Sequence, residues 1–196
     1  MECALARAGR VPVFLYATVK GQGLYAQLGF QVAGGTRRFV GQLAHRPASP
    51  PLGSRRLRPM EFSDIASVGA LDAIAFGAPR TAYLEALLGM ADKARVVEEG
   101  KQLVGYGLGW SIGSRRTVGP VVAPDSALAM VLAADLADGH AGSLRIDIPS
   151  EFPELASWAT AVGLRPDSPA PLMVLHAERA PGRREWLHAL AMPGLG

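Results

Sequence analysis

The sequence has one cysteine, Cys3, among 196 residues, so no disulfide can close within the chain. A reducing compartment suits such usage. Its four histidines lie far apart without ligand spacing, and no metal site is expected. Aromatic residues make up only 7% and charged residues 19%, against 49% hydrophobic ones, which excludes a disordered chain and describes a core-forming one. No apolar run approaches the length of a membrane span. Val11 to Ala17, behind Arg7 and Arg10, imitates a signal peptide. The run is short and holds Pro12, so it reads as a buried strand, and a cytoplasmic protein is expected. The net charge is only +3. Arginines come in pairs (Arg37-Arg38, Arg55-Arg56, Arg115-Arg116, Arg183-Arg184) without interleaved aromatics, so no nucleic-acid surface is expected; solvated loops or an anionic ligand remain as their uses.

What is present is centred on residues 94–123. Arg95 to Glu98, Lys101 to Trp110 and Thr117 to Ala123 read as three antiparallel strands, with Glu99-Gly100 suited to the first reversal. Pro124-Asp125-Ser126 then opens a helix running to Leu136, with Asp125 or Ser126 as N-cap. Upstream, Arg56 to Met60 reads as a strand, Ile65 to Phe76 as a helix with Ile65, Val68, Leu71 and Ala75 on one stripe, and Pro79 to Ala91 as a second helix. Downstream come a strand at Leu144 to Ile148, a helix at Pro153 to Val162 ended by Gly163, and a last strand at Pro171 to Ala177. Arg184 to Gly196 reads as a tail. Before all of this, Cys3 to Ala8 reads as the end of a helix, Val11 to Ala17 as a strand buried on both faces, Leu24 to Leu28 as a short helix, and Phe30 to Leu43 as a hairpin around Gly34-Gly35. The stretch His45 to Ser54 contains three prolines and no hydrophobic period, and reads as a linker.

The unit Val11 to Phe30 recurs at Leu144 to Leu164. Gly163 stands 134 residues after Gly29, about one domain length. The hairpin with its LVGYGLG strand, and the stretch Leu24-Tyr25-Ala26-Gln27-Leu28-Gly29-Phe30, resemble the GNAT superfamily of acyl-CoA-dependent N-acetyltransferases. That family closes its fold with an LYxxLGF signature. The resemblance implies an α/β GNAT fold: a mixed, mostly antiparallel sheet flanked by helices. Residues 117–123 and 144–148 should be parallel neighbours. The chain is similar to a tandem-GNAT family with an atypical C-terminal half. This implies 1–44 as the end of a first GNAT domain, 45–54 as a linker and 55–196 as a complete second one.

The resemblance also implies a chemistry, with acetyl-CoA as co-substrate and the primary amine of a small molecule or peptide as acceptor. Tyr25 matches the family's general acid, and Asp147 is a candidate base. Val121, Val122, Ala123, Ser126, Ala127 and Leu128 occupy the segment that holds acetyl-CoA, where Gly119-Pro120 favours a bulge and a splay that would admit the pantetheine arm. The pyrophosphate cradle needs glycines at a helix start. Aligned on Pro124, this sequence puts Ala127, Leu128 and Met130 where Arg, Gly and Gly would stand, and Ala159 replaces the tyrosine in the second unit. A non-catalytic GNAT-fold binding or structural module is therefore the alternative function. A homodimer is left open.

Overall fold

The computed structural model describes all residues except 1–4, 6, 8, 46, 47, 195 and 196. The expected Cys3 to Ala8 helix thus lies largely outside the described residues. Among the described residues nine strands form one sheet. β1 (Val13–Tyr16) leads through α1 (Gln22–Gln27) to β2 (Gln31–Gly41). β3 (Arg56–Pro59) is followed by a 3-10 turn and two helices, α2 (Ile65–Phe76) and α3 (Thr81–Met90). The meander β4 (Ala91–Glu99), β5 (Gln102–Ile112) and β6 (Arg115–Val122) comes next, then α4 (Ser126–Ala137) and β7 (Ser143–Pro149). Last come α5 (Pro153–Ala161), β8 (Arg165–Leu175) and β9 (Leu187–Ala189). The spatial order is β1-β8-β2-β7-β6-β5-β4-β3, with β9 joined to β6.

Residues of alternating strand positions fill two layers. On one face α4 and α5 pack Leu128, Leu132, Leu136 and Leu155 against Val121, Phe39, Ile146 and Ile148. On the other, α2 packs Val68, Leu71 and Ala75 against Val96, Tyr106 and Val122. The glycines of β5 serve this packing. A β-carbon on Gly107 would come within 2.8 Å of the Leu136 side chain, and one on Gly105 within 3.3 Å of Leu128. They let α4 sit close on the sheet.

The meander follows expectation, and β6 runs parallel to β7 through Arg115–Thr117 against Ser143–Arg145, as a helical crossover requires. Three expectations change. Phe30 to Leu43 is no hairpin. It is the single strand β2, whose pairing with β8 shifts register between Val32 and Gly34, so the glycines absorb an irregularity in place of reversing the chain. The Val11 to Ala17 strand is shorter, half-buried and at the sheet edge, because its only strand partner among the described residues is β8. The last strand begins at Arg165, directly behind the Gly163-Leu164 helix exit, and extends to Leu175.

The recurrence of residues 11–30 at 144–164 holds down to single hydrogen bonds. Phe30 N–H donates to the Tyr25 carbonyl at 3.0 Å, and Leu164 N–H donates to the Ala159 carbonyl at 3.0 Å. Gly29 (φ 87°) and Gly163 (φ 102°) take the left-handed exits that L-residues avoid. The two units exchange strands: β2 of the earlier one pairs with both β7 and β8, and β1 pairs with β8. The strand order β1-β8-β2-β7 is therefore symmetric about the β2–β8 pair and sets β1 opposite β7.

Candidate active site

Beyond Thr117 and Arg145 the parallel strands β6 and β7 part. The cause lies in β6, where Gly119 and Pro120 together oppose the single residue Leu108 of β5, a bulge that turns the strand away. This is the splay that the sequence suggested at Gly119-Pro120. It is filled by the chain itself.

The filling segment is the tail, which the sequence left without a structural role. β9 pairs antiparallel with β6, Val121 opposite Ala189 and Val122 opposite Leu187. Ala123 N–H donates to the Trp186 carbonyl and Leu190 N–H to the Asp147 carbonyl, both at 2.9 Å. Leu187, His188, Ala189, Leu190 and Ala191 are each at most 1% exposed. The strand thus satisfies backbone groups that the splay would otherwise leave bare. A β-carbon on Gly119 (φ 153°) would lie 2.1 Å from the Leu190 carbonyl oxygen. Gly119→Ala combines a disfavoured backbone with a direct clash, and should cost on the order of 2–4 kcal/mol in chemical unfolding.

The residues expected to hold acetyl-CoA take the following places. Val121, Val122 and Ala123 are fully buried beside β9. Ser126 and Ala127 begin α4, and Leu128 points into the core at 2% exposure. Asp125 is the N-cap. Its carboxylate accepts from Leu128 N–H at 2.7 Å and from Arg55 at 3.0 Å. Burial raises its pKa, but those two partners outweigh burial and hold it below the usual carboxylate range. An anion thus already caps the helix start at which a pyrophosphate would bind. The residues present do not fit acetyl-CoA here: the channel is occupied and the helix start carries a charge of the same sign.

Asp147 and Tyr25 are not brought together. Asp147 is 1% exposed and accepts from Arg38 at 3.3 Å and Arg145 at 2.6 Å. The candidate base is thus a buried carboxylate held by two arginines. Tyr25 lies on α1 and packs edge-on to Phe30 at 5.8 Å, in a cluster with Ala17, Leu28 and Met173 at the β1–β8 edge.

One titratable group in the filled splay escaped sequence reading, His188. Its ring stacks on Phe152 at 4.0 Å and its Nδ1 lies 3.1 Å from the Trp186 carbonyl. Burial pushes its pKa below 6.5, against smaller opposing effects of that carbonyl, Asp125 and Glu154. The unfolded chain therefore takes up a proton at this residue at a higher pH than the folded one. The contribution is complete above pH 6.5 and shrinks as pH falls below it. Unfolding free energies at about pH 7.5 and about pH 5.5 should differ less for His188→Phe than for the parent chain.

A model of the acetyltransferase (GNAT) domain matches residues 68–189. The chain belongs to the GNAT acetyltransferase family. The Bacillus subtilis protein YitH, an uncharacterized N-acetyltransferase, is 31% identical over 185 residues. That match spans 93% of this chain and 64% of YitH. Among solved structures, a Pyrococcus horikoshii protein assigned as an acetyltransferase aligns with TM-score 0.69 and 23% identity, over all of this chain and 64% of its own. A GCN5-related N-acetyltransferase of Sphaerobacter thermophilus aligns with TM-score 0.60 and 19% identity, over 88% of this chain and 61% of its own. At these identities the structures show the fold. This GNAT chain thus spans less than two thirds of the length of these relatives, and no helix among its described residues is long and apolar enough to cross a membrane.

Proposed function

We propose that this protein serves acetyl transfer from acetyl-CoA to the primary amine of a small molecule or peptide in the cytoplasm, with residues 55–196 as a structural lobe whose own donor channel is closed. The thioester of acetyl-CoA supplies the activated acyl group. The observation that carries this reading is β9 lying between β6 and β7 where a GNAT donor channel would run.

By the symmetry of the strand order, the other candidate place is the outer edge of β1. β1 corresponds to β7, and its far side has no strand partner among the described residues. Tyr25 stands there where Ala159 stands in the second unit, and its phenol would hold the proton that the leaving thiolate takes. On this reading residues 1–44 complete a first GNAT domain and 45–54 link it to the second. A further strand, from a longer form of the protein or from a second copy, closes the site. The test is thiol release from acetyl-CoA with a panel of primary amines, on the full-length protein. Tyr25→Phe should lower kcat on the order of 10²-fold or more with the melting temperature retained. Undiminished turnover would remove Tyr25 from its role.

The filled splay also favours a second reading, a GNAT-fold module that binds or supports and does not catalyse. Absence of turnover with every amine, together with an intact fold, would select it.

A further inference from the structure

Apart from the filled splay, a cavity of about 430 Å³ opens between β1, β2, β7 and β8. Tyr16, Thr18 and Lys20 come to it from the end of β1, Arg38 and Asp147 from the neighbouring strands, and Ser168 from β8. We propose that this cavity binds the oxyanion of a small ligand, a carboxylate or a phosphate group, through Lys20, Arg38 and the Tyr16 hydroxyl.

The first argument is charge. Asp147 is the acid of the lining, and guanidinium groups of Arg38 and Arg145 already engage its two oxygens. Arg38 also approaches Asp167 at 3.6 Å, in the half-exposed rim. Lys20 has no carboxylate partner among the described residues. Neither has Arg184, which donates to the Tyr16 hydroxyl at 2.9 Å and lies over the rings of Phe14 and Phe76. One nitrogen of Arg184 is buried with no acceptor. In the lining itself Lys20 and Arg38 stand against the one carboxylate of Asp147, and behind Tyr16 a half-buried guanidinium without a carboxylate partner is costly.

The second argument is donor geometry. Because the Tyr16 oxygen accepts from Arg184, its own proton is left for a ligand. Burial raises the Tyr16 pKa more than Arg184 lowers it, so the phenol stays protonated. The Thr18 hydroxyl accepts from Gly21 N–H at 3.1 Å and likewise keeps a proton to give. Thr36, two residues before Arg38 on the same face of β2, is 2% exposed with a hydroxyl that has no partner. Its strand neighbour Ala170 lines the cavity. Tyr16, Thr18 and Lys20 therefore bring free donors to the lining while its one carboxylate is already engaged, the chemistry that selects an oxyanion over an amine. This inference is independent of where acetyl transfer occurs.

The test is a nuclear magnetic resonance titration of the intact chain with inorganic phosphate and, separately, with succinate, at constant ionic strength set by chloride. Saturable shifts confined to the amides of residues 16–20, 38 and 168–170 are expected with at least one of them. The one that saturates at lower concentration identifies the group as phosphate or carboxylate. Lys20→Ala, at an exposed position, and Tyr16→Phe, with its fold checked by the amide spectrum because Arg184 loses an acceptor, should each weaken that binding about tenfold. Shifts that drift linearly with both anions, that saturate elsewhere on the molecule, or that persist unchanged in both variants would overturn the site.

Discussion

Leu187→Ala will lower the stability of this chain by about 2–5 kcal/mol, the cost of truncating a buried leucine whose surroundings cannot collapse. For a protein of this length that corresponds to a melting temperature lower by about 4–20 °C. Leu187 is 1% exposed and belongs to the cluster of Val68, Leu71, Val96, Tyr106 and Val122, the layer between α2 and the three strands β4, β5 and β6. Its backbone neighbours are fastened on both sides of the splay, to Ala123 and Asp147. A tail merely resting on the surface would lose less than about 0.5 kcal/mol on the same change. Urea unfolding separates the two outcomes.

A still larger loss, about 3–5 kcal/mol, is expected for Asp72→Ala, because removing one member of a buried ion pair takes from the other its closest counter-charge. Asp72 is fully buried on α2. Its carboxylate accepts from Arg80 at 2.7 and 3.0 Å, ahead of α3, and from the Tyr106 hydroxyl on β5. It thereby ties both helices of this face to the middle of the sheet. Arg80 in turn lies 3.9 Å from the Phe76 ring centroid. Burial raises the phenol of Tyr106 well above its usual pKa, and pushes that of neighbouring Tyr83 up to about 12, so both remain neutral and Tyr106 keeps its proton to donate to Asp72. Replacing Asp72 and Arg80 together by apolar residues should cost less than Asp72→Ala alone, since no charge then loses its closest counter-charge.

Much of this fold is legible in the residues because local signals agree with the tertiary arrangement. Glu99-Gly100 closes the β4–β5 turn, Asp125 caps α4, and Gly29 and Gly163 end their helices in the left-handed conformation. These depend on neighbours a few residues away. The strand exchange was not legible. Gly34-Gly35 fits a turn as well as a bulge, and only long-range pairing of β2 with β7 and β8 decides between them. Nor was the role of the tail legible, for Leu187-His188-Ala189 is too short to show a period and its partners lie far back in the sequence. Of the candidate site, the unusual side chains at Leu128 and Met130 were visible in advance. Their meaning came from the structure, in which Leu128 faces the core, Asp125 takes its amide and β9 takes the channel. Asp147 illustrates the opposite case, a carboxylate that reads as exposed until Arg38 and Arg145 are brought beside it.

The central claim is that the splay between β6 and β7 belongs to the chain's own tail and not to a donor. Calorimetric titration of this chain with acetyl-CoA tests it most directly. Losing the charge-assisted amide contacts of the cradle alone removes on the order of 3–6 kcal/mol, roughly two to four decades of affinity. The channel filled by Leu187 to Leu190 removes the pantetheine contacts as well. At the start of α4 no saturable binding below about millimolar acetyl-CoA is expected. A low-micromolar dissociation constant that disappears in Ala127→Glu, at the exposed start of α4, would contradict it.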